Sequence, residues 1–208
     1  MKNLLFDLDG TLVDSSQGII NAFTYTFTEL NLEVPDVKVL STFIGPPLET
    51  TFDNFFTDKA QVEIAIQHFR EFYKKEGVYQ VHLYKGIPEL LDKLKSSEYT
   101  LYVTTSKHEP MAIHMLEELG IDNYFTNIYG SMANRFVKAD VVKACLEEET
   151  LDTDQTVIIG DTQFDIIGGK VAGINTLGVT WGFGTESDLI IADADQIAHS
   201  PKEILSLL

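Results

Sequence analysis

One cysteine in 208 residues, Cys145, excludes an internal disulfide. Cations are also scarce: 15 Lys and Arg stand against 32 Asp and Glu, a formal net charge of −17. Polyanion binding relies on cations that neutralise phosphates, so neither a nucleic-acid partner nor an anionic membrane surface is expected. No apolar run approaches the ~20 residues of a membrane span. The opening Met1, Lys2 and Asn3, with a short apolar run ending at Asp7, lacks a signal-peptide core. A reducing, cytoplasmic setting is the expectation. No internal repeat or low-complexity stretch is visible.

Hydrophobic residues, at 44%, are enough for an ordinary core. Leu4, Leu5 and Phe6 form an apolar run that meets Asp7, Asp9 and Gly10, as a buried strand ending in a polar loop does. Leu101 to Thr105, Thr156 to Gly160 and Ile174 to Val179 have the same form, and Phe125 to Gly130 is a weaker fifth. Helical patterns alternate with them: Ile87 to Lys95, Pro110 to Leu119, Lys138 to Glu148 and Ile166 to Ala172, with Gly120 and Gly173 as stops. A closing helix is expected behind Ser200 and Pro201. Such alternation predicts an α/β fold: a Rossmann-like, parallel, five-stranded sheet with helices on both faces and its ligand site at the carboxyl ends of the strands.

Residues 14–83 break the rhythm. Ile19, Ile20, Phe23, Phe27 and Leu30 recur at helical spacing behind Asp14 and Ser15, and Val62, Ile66, Phe69 and Tyr73 behind Asp58. Helices without strands predict an inserted all-helical domain at 14–83, between a core of 1–13 and 84–208.

Polar clusters lie where the strands end. Asp7 and Asp9 are two apart, which places both carboxylates on one side of an extended segment. A carboxylate pair persists when a cation neutralises it or one member holds a proton, an arrangement suited to a nucleophile beside a general acid. Gly10 and Thr11 then allow a tight turn, and an ordinary Asx turn is the bland alternative for the whole segment. Thr105, Ser106 and Lys107 place hydroxyls and a backbone N–H where the second strand opens into a helix, an anion site or a simple cap. Lys138 opens a helix, where a cation is disfavoured unless an anion is near; a solvated lysine is the alternative. Asp161 and Asp165 stand one helical turn apart behind Gly160. This imidazole-free, oxygen-rich set suits Mg2+.

The segments Asp7-Leu8-Asp9-Gly10-Thr11, Thr105-Ser106-Lys107, Lys138 and Gly160-Asp161-Thr162 with Asp165 resemble, in order and spacing, the four motifs of the haloacid dehalogenase superfamily of phosphohydrolases. The insert's position resembles the helical-cap subclass, which includes phosphoglycolate phosphatases, pyrophosphatases, 5′-nucleotidases and β-phosphoglucomutases. Ala139 departs from the proline that often follows the motif lysine, and Lys143 is the nearest substitute for Lys138.

The resemblance implies that Asp7 attacks phosphorus and that Asp9 protonates the leaving group. It implies that Asp7, the Asp9 carbonyl, Asp161 and Asp165 serve Mg2+, and that Gly10, Thr11, Thr105, Ser106 and Lys138 hold phosphate. The expected activity is phosphatase action on a small-molecule phosphate monoester, phosphoglycolate phosphatase-like, with a 5′-nucleotidase or pyrophosphatase as alternative. A phospho-aspartate regulatory switch is the alternative from another class. Gly45, Pro46 and Pro47, the least helical part of the insert, either present backbone groups to substrate or start a helix. Lys107 and Arg135 are further specificity candidates, Arg135 meeting a second anionic group or solvent. Cys145 and Trp181 are expected to pack. The protein is expected to be a monomer or homodimer.

Overall fold

A computed structural model describes residues 1–208 and divides them into two compact units, Met1–Asp14 with Leu83–Leu208 and, inserted between these segments, Ser15–His82. The first carries a six-stranded sheet. Its strands are β1 (Asn3–Phe6), β4 (Thr100–His108), β5 (Asn127–Ser131), β6 (Thr156–Gly160), β7 (Asn175–Val179) and β8 (Gln196–Ala198), in the spatial order β5-β4-β1-β6-β7-β8. Every neighbouring pair is parallel, and β1 lies between β4 and β6 with Leu4 opposite Leu101 and Val157. A central parallel strand buries both faces, which is why Leu4, Leu5 and Phe6 form an unbroken apolar run, all fully buried.

Helices α5 (Ile87–Lys95), α6 (Glu109–Glu118), α7 (Lys138–Glu148), α8 (Gln163–Ala172), α9 (Glu186–Ile191) and α10 (Pro201–Leu207) belong to this unit and cover both faces of the sheet. The chain runs from β1 outward through β4 and β5, then returns across β1 to β6, β7 and β8. That reversal makes β1 a topological switch point, and open α/β sheets bind ligands outside the carboxyl ends of the strands at such a point. Cys145 packs among Leu5, Val141, Val142 and Ile158 in the core, and burial raises its thiol pKa.

The sheet departs from expectation at two places. It has six strands instead of five, because Gln196–Ala198 pairs with the edge of β7; three residues with one fully buried side chain carry no readable apolar run. The second expected strand does not open into a helix at Thr105. It continues as β4 to His108, with a register shift between Thr104 and His108, and the helix begins only at Glu109.

The inserted unit holds α1 (Ser16–Glu29), α2 (Val37–Ser41), α3 (Leu48–Phe52) and α4 (Lys59–Lys75). Asp58 caps α4 through Ala60 N. Asp14 lies in β2 (Val13–Asp14), which pairs with β3 (His82–Leu83), and Ser15 occupies the N-cap position of α1 without a side-chain cap bond. The core of this unit is aromatic. Phe23 meets Phe69 at a centroid distance of 4.7 Å, Phe43 at 5.3 Å and Phe52 at 5.6 Å. Gly45, at φ 109°, and Pro47, the N-cap residue of α3, form the turn into that helix.

A buried carboxylate and lysine cluster at the strand ends

Asp7 follows β1, Asp161 follows β6, and Asp165 sits in the first turn of α8. Carboxylate oxygens of these three residues lie within 4.8 Å of one another, and all three residues are buried. Asp165 and Asp161 are each held by neutral donors. Asp165 Oδ2 accepts from Thr162 N at 3.0 Å and from the Thr162 hydroxyl at 2.8 Å, closing a capping box. Asp161 Oδ1 accepts from the Thr11 hydroxyl at 3.1 Å and Oδ2 from Phe183 N at 2.7 Å. Gly10 has φ 93°, and a Cβ there would fall 2.2 Å from Asp161 Oδ2, so the turn after Asp9 needs glycine on both counts.

Lys138, the first residue of α7, reaches into the cluster. Its Nζ lies 2.6 Å from Asp7 Oδ1 and 2.7 Å from Asp165 Oδ1, and it donates to the Thr104 carbonyl at 3.0 Å. The anion that a lysine at a helix start calls for is thus supplied by the protein's own carboxylates. Burial opposes the charge of Lys138, but Asp165 and Asp7 outweigh it and raise its pKa above 10.5. Lys143, the substitute considered from sequence, is exposed.

One ammonium faces three buried carboxylates, and the excess negative charge shows in their proton affinities. Burial, with Asp165 adding to it, pushes Asp7 from 3.8 up to about 7 against the pull of Lys138. Burial and the charges of Asp165 and Asp7 push Asp161 up to about 8. A hard divalent cation would relieve this excess, and an all-carboxylate donor set is the chemistry Mg2+ takes. The residues present therefore fit Mg2+, with Asp7, Asp161 and Asp165 as the side chains to hold it.

Asp9 turns elsewhere. Its oxygens lie 2.9 and 3.0 Å from Lys107 Nζ, so each member of the Asp7 and Asp9 pair has its own lysine. Thr105 is buried, and its hydroxyl accepts from Lys107 N at 3.1 Å; Ser106 is half-buried beside it in β4. Arg135 does not join this group. Its guanidinium pairs with Glu109 and donates to the Gly130 carbonyl at 3.0 Å, tying the loop after β5 to α6. Gly45, Pro46 and Pro47 belong to the other unit.

Sequence reasoning missed the loop after β7. Trp181, expected only to pack, donates from its indole to the Thr11 carbonyl at 3.0 Å, and Phe183 supplies a backbone N–H to Asp161. Backbone donors leave no side-chain signature; the paired glycines 182 and 184 were the available signal.

Residues 4–179 match the profile of the haloacid dehalogenase-like hydrolases. A curated 5′-nucleotidase of Pseudomonas aeruginosa is 37% identical over 190 residues, 90% of this chain and 86% of that protein. A phosphoglycolate phosphatase of Aquifex aeolicus is 32% identical over 185 residues, covering 88% and 86% of the two chains. A haloacid dehalogenase-like hydrolase from Streptococcus pneumoniae has a solved structure that superposes with a TM-score of 0.94 at 45% identity, over 100% of this chain and 98% of that one.

Proposed function

The chain belongs to the haloacid dehalogenase-like hydrolase family, and from that premise we propose that it is a Mg2+-dependent phosphatase of small phosphate monoesters, acting through an aspartyl phosphate on Asp7. The observation that carries this reading is the buried cluster of three carboxylates with a single lysine at the carboxyl ends of β1 and β6. Burying this much like charge destabilises a fold, so the cluster is explained by the cation and phosphate it would receive.

An Asp7 oxygen attacks phosphorus in line as the bond to the leaving oxygen breaks, and Asp9 donates a proton to that oxygen. Asp9, left as a carboxylate by that transfer and within reach of the Lys107 ammonium, then takes a proton from water, whose oxygen attacks the phosphoryl group and frees Asp7. Thr105, Ser106 and the turn at Gly10 and Thr11 hold phosphate oxygens, and Lys138 offsets their charge. When bound, the metal neutralises phosphate charge as it meets the anionic nucleophile.

The leading substrate class is a small acid phosphate of the phosphoglycolate type. A nucleoside 5′-monophosphate is the second reading, favoured by the 37% identity to a 5′-nucleotidase. Residues 14–83 are read as the family's helical cap, with Gly45, Pro46 and Pro47 setting selectivity. Phosphate release with and without Mg2+ from phosphoglycolate, nucleoside monophosphates, pyrophosphate and p-nitrophenyl phosphate tests this reading. Release that needs Mg2+ and vanishes in Asp7→Asn is expected; release indifferent to both contradicts it.

A further inference from the structure

Asp161 differs from its two carboxylate neighbours in how it is held. Asp7 and Asp165 share an ammonium, whereas the donors to Asp161 are neutral: the Thr11 hydroxyl on Oδ1, and Phe183 N at 2.7 Å with Gly184 N at 3.4 Å on Oδ2. Two of these donors come from the loop after β7, and Trp181 ties that loop to the carbonyl of Thr11, the residue whose hydroxyl holds the other oxygen. The fit is close on the backbone side as well. A Cβ on Gly182 would fall 2.3 Å from Asp161 Oδ2 and 2.3 Å from the Gly10 carbonyl, and one on Gly184 would fall 2.1 Å from the Asp161 carbonyl. No real Cβ tolerates such distances, so the loop can take this path only with glycine at both positions.

We propose that the Trp181 to Gly184 loop is a positioning device for Asp161, with Trp181 acting through Thr11 to fix the orientation in which that carboxylate receives a divalent cation. The proposal rests on the reading of Asp161 as a metal-holding residue, and it assigns a role to residues outside the four motifs. Neutral donors fix the direction of both oxygens without cancelling the charge, which leaves that charge for the cation. Trp181 touches neither substrate nor metal in this account; it is a positioning residue.

Calorimetric titration of the full chain with Mg2+ alone tests it. Loss of a hydrogen bond that orients a metal ligand weakens affinity by roughly 10- to 100-fold. That loss is expected for Trp181→Phe and for Thr11→Val, with Thr11→Ser restoring affinity, while the metal-free melting temperature of Trp181→Phe stays near the parent value. Wild-type Mg2+ affinity in Trp181→Phe, or a lowered melting temperature with unchanged affinity, reduces Trp181 to packing and overturns the proposal. Failure of Thr11→Ser to restore affinity overturns the hydroxyl route. If the parent protein binds Mg2+ and hydrolyses phosphate while the variants bind equally well, this inference alone falls. If the parent binds no Mg2+, the proposed function falls with it.

Discussion

In the sheet-bearing unit four charged side chains are buried, Asp7, Lys138, Asp161 and Asp165. The inserted helical unit buries Phe23, Phe27, Phe52 and Phe69, and its buried Ser and Thr side chains are those of Ser15, Thr26 and Thr51. Its ion pairs, such as Arg70 with Glu49, stand at the surface. The helical unit is thus built as cores usually are, by removing apolar area from water. The sheet unit departs from that rule only at the carboxyl ends of β1 and β6, where charge is buried at a cost to stability. On the proposed reading the chemistry lies at this departure, so substitutions in the two regions are expected to fail differently.

The largest expected effect is on turnover. Asp7→Asn should lower phosphate release by at least about four orders of magnitude, as loss of a nucleophile does, while its melting temperature stays level or rises because like charge has been removed. A folded, still active Asp7→Asn would break the comparison from the chemical side. Phe23→Ala should do the reverse, costing roughly 3–5 kcal/mol in urea unfolding. A cost below about 1 kcal/mol would mean that the aromatic cluster is loosely packed.

The dependence on pH has a defined sign. Asp7 and Asp161 are raised by burial to about 7 and about 8, so between about pH 4 and 8 the folded chain holds protons that the unfolded chain has released. The metal-free protein should therefore lose stability across that interval as pH rises. The loss should be smaller in Asp161→Asn, and Mg2+ should raise the melting temperature more at pH 8 than at pH 5. A parent and Asp161→Asn that respond identically to pH would contradict this. The smallest effect belongs to the exposed pair in the helical unit: Arg70→Ala should change unfolding free energy by less than about 1 kcal/mol, and a larger loss would show that its surface charge matters to the fold.

What was legible in the sequence follows the same division. Strands buried on both faces are unbroken apolar runs, so Leu4 to Phe6 and Thr156 to Gly160 announced themselves, along with the acids at their ends. Helices Ile87–Lys95 and Lys138–Glu148 were readable to their termini, the first from Pro88 near its start and both from their apolar spacing. Short or polar extensions were not readable. Gln196–Ala198 is a strand only because β7 offers it an edge, and Ser106 to His108 stay extended because β4 carries on beside β5 past a register shift. Pairings between distant residues were also hidden: nothing local tells that Lys107 turns to Asp9, that Arg135 turns to Glu109, or that the indole of Trp181 finds a carbonyl 170 residues away.

On the proposed reading, the buried charge at the end of β1 exists to make Asp7 a nucleophile. The most direct test is to mix Asp9→Asn with Mg2+ and p-nitrophenyl phosphate, quench in acid and map the phosphoryl group by peptide mass. A phosphoryl group on Asp7 is expected, accumulated because its hydrolysis has lost the residue that activates water. An unmodified Asp7, in a preparation whose parent releases phosphate under the same conditions, would contradict it.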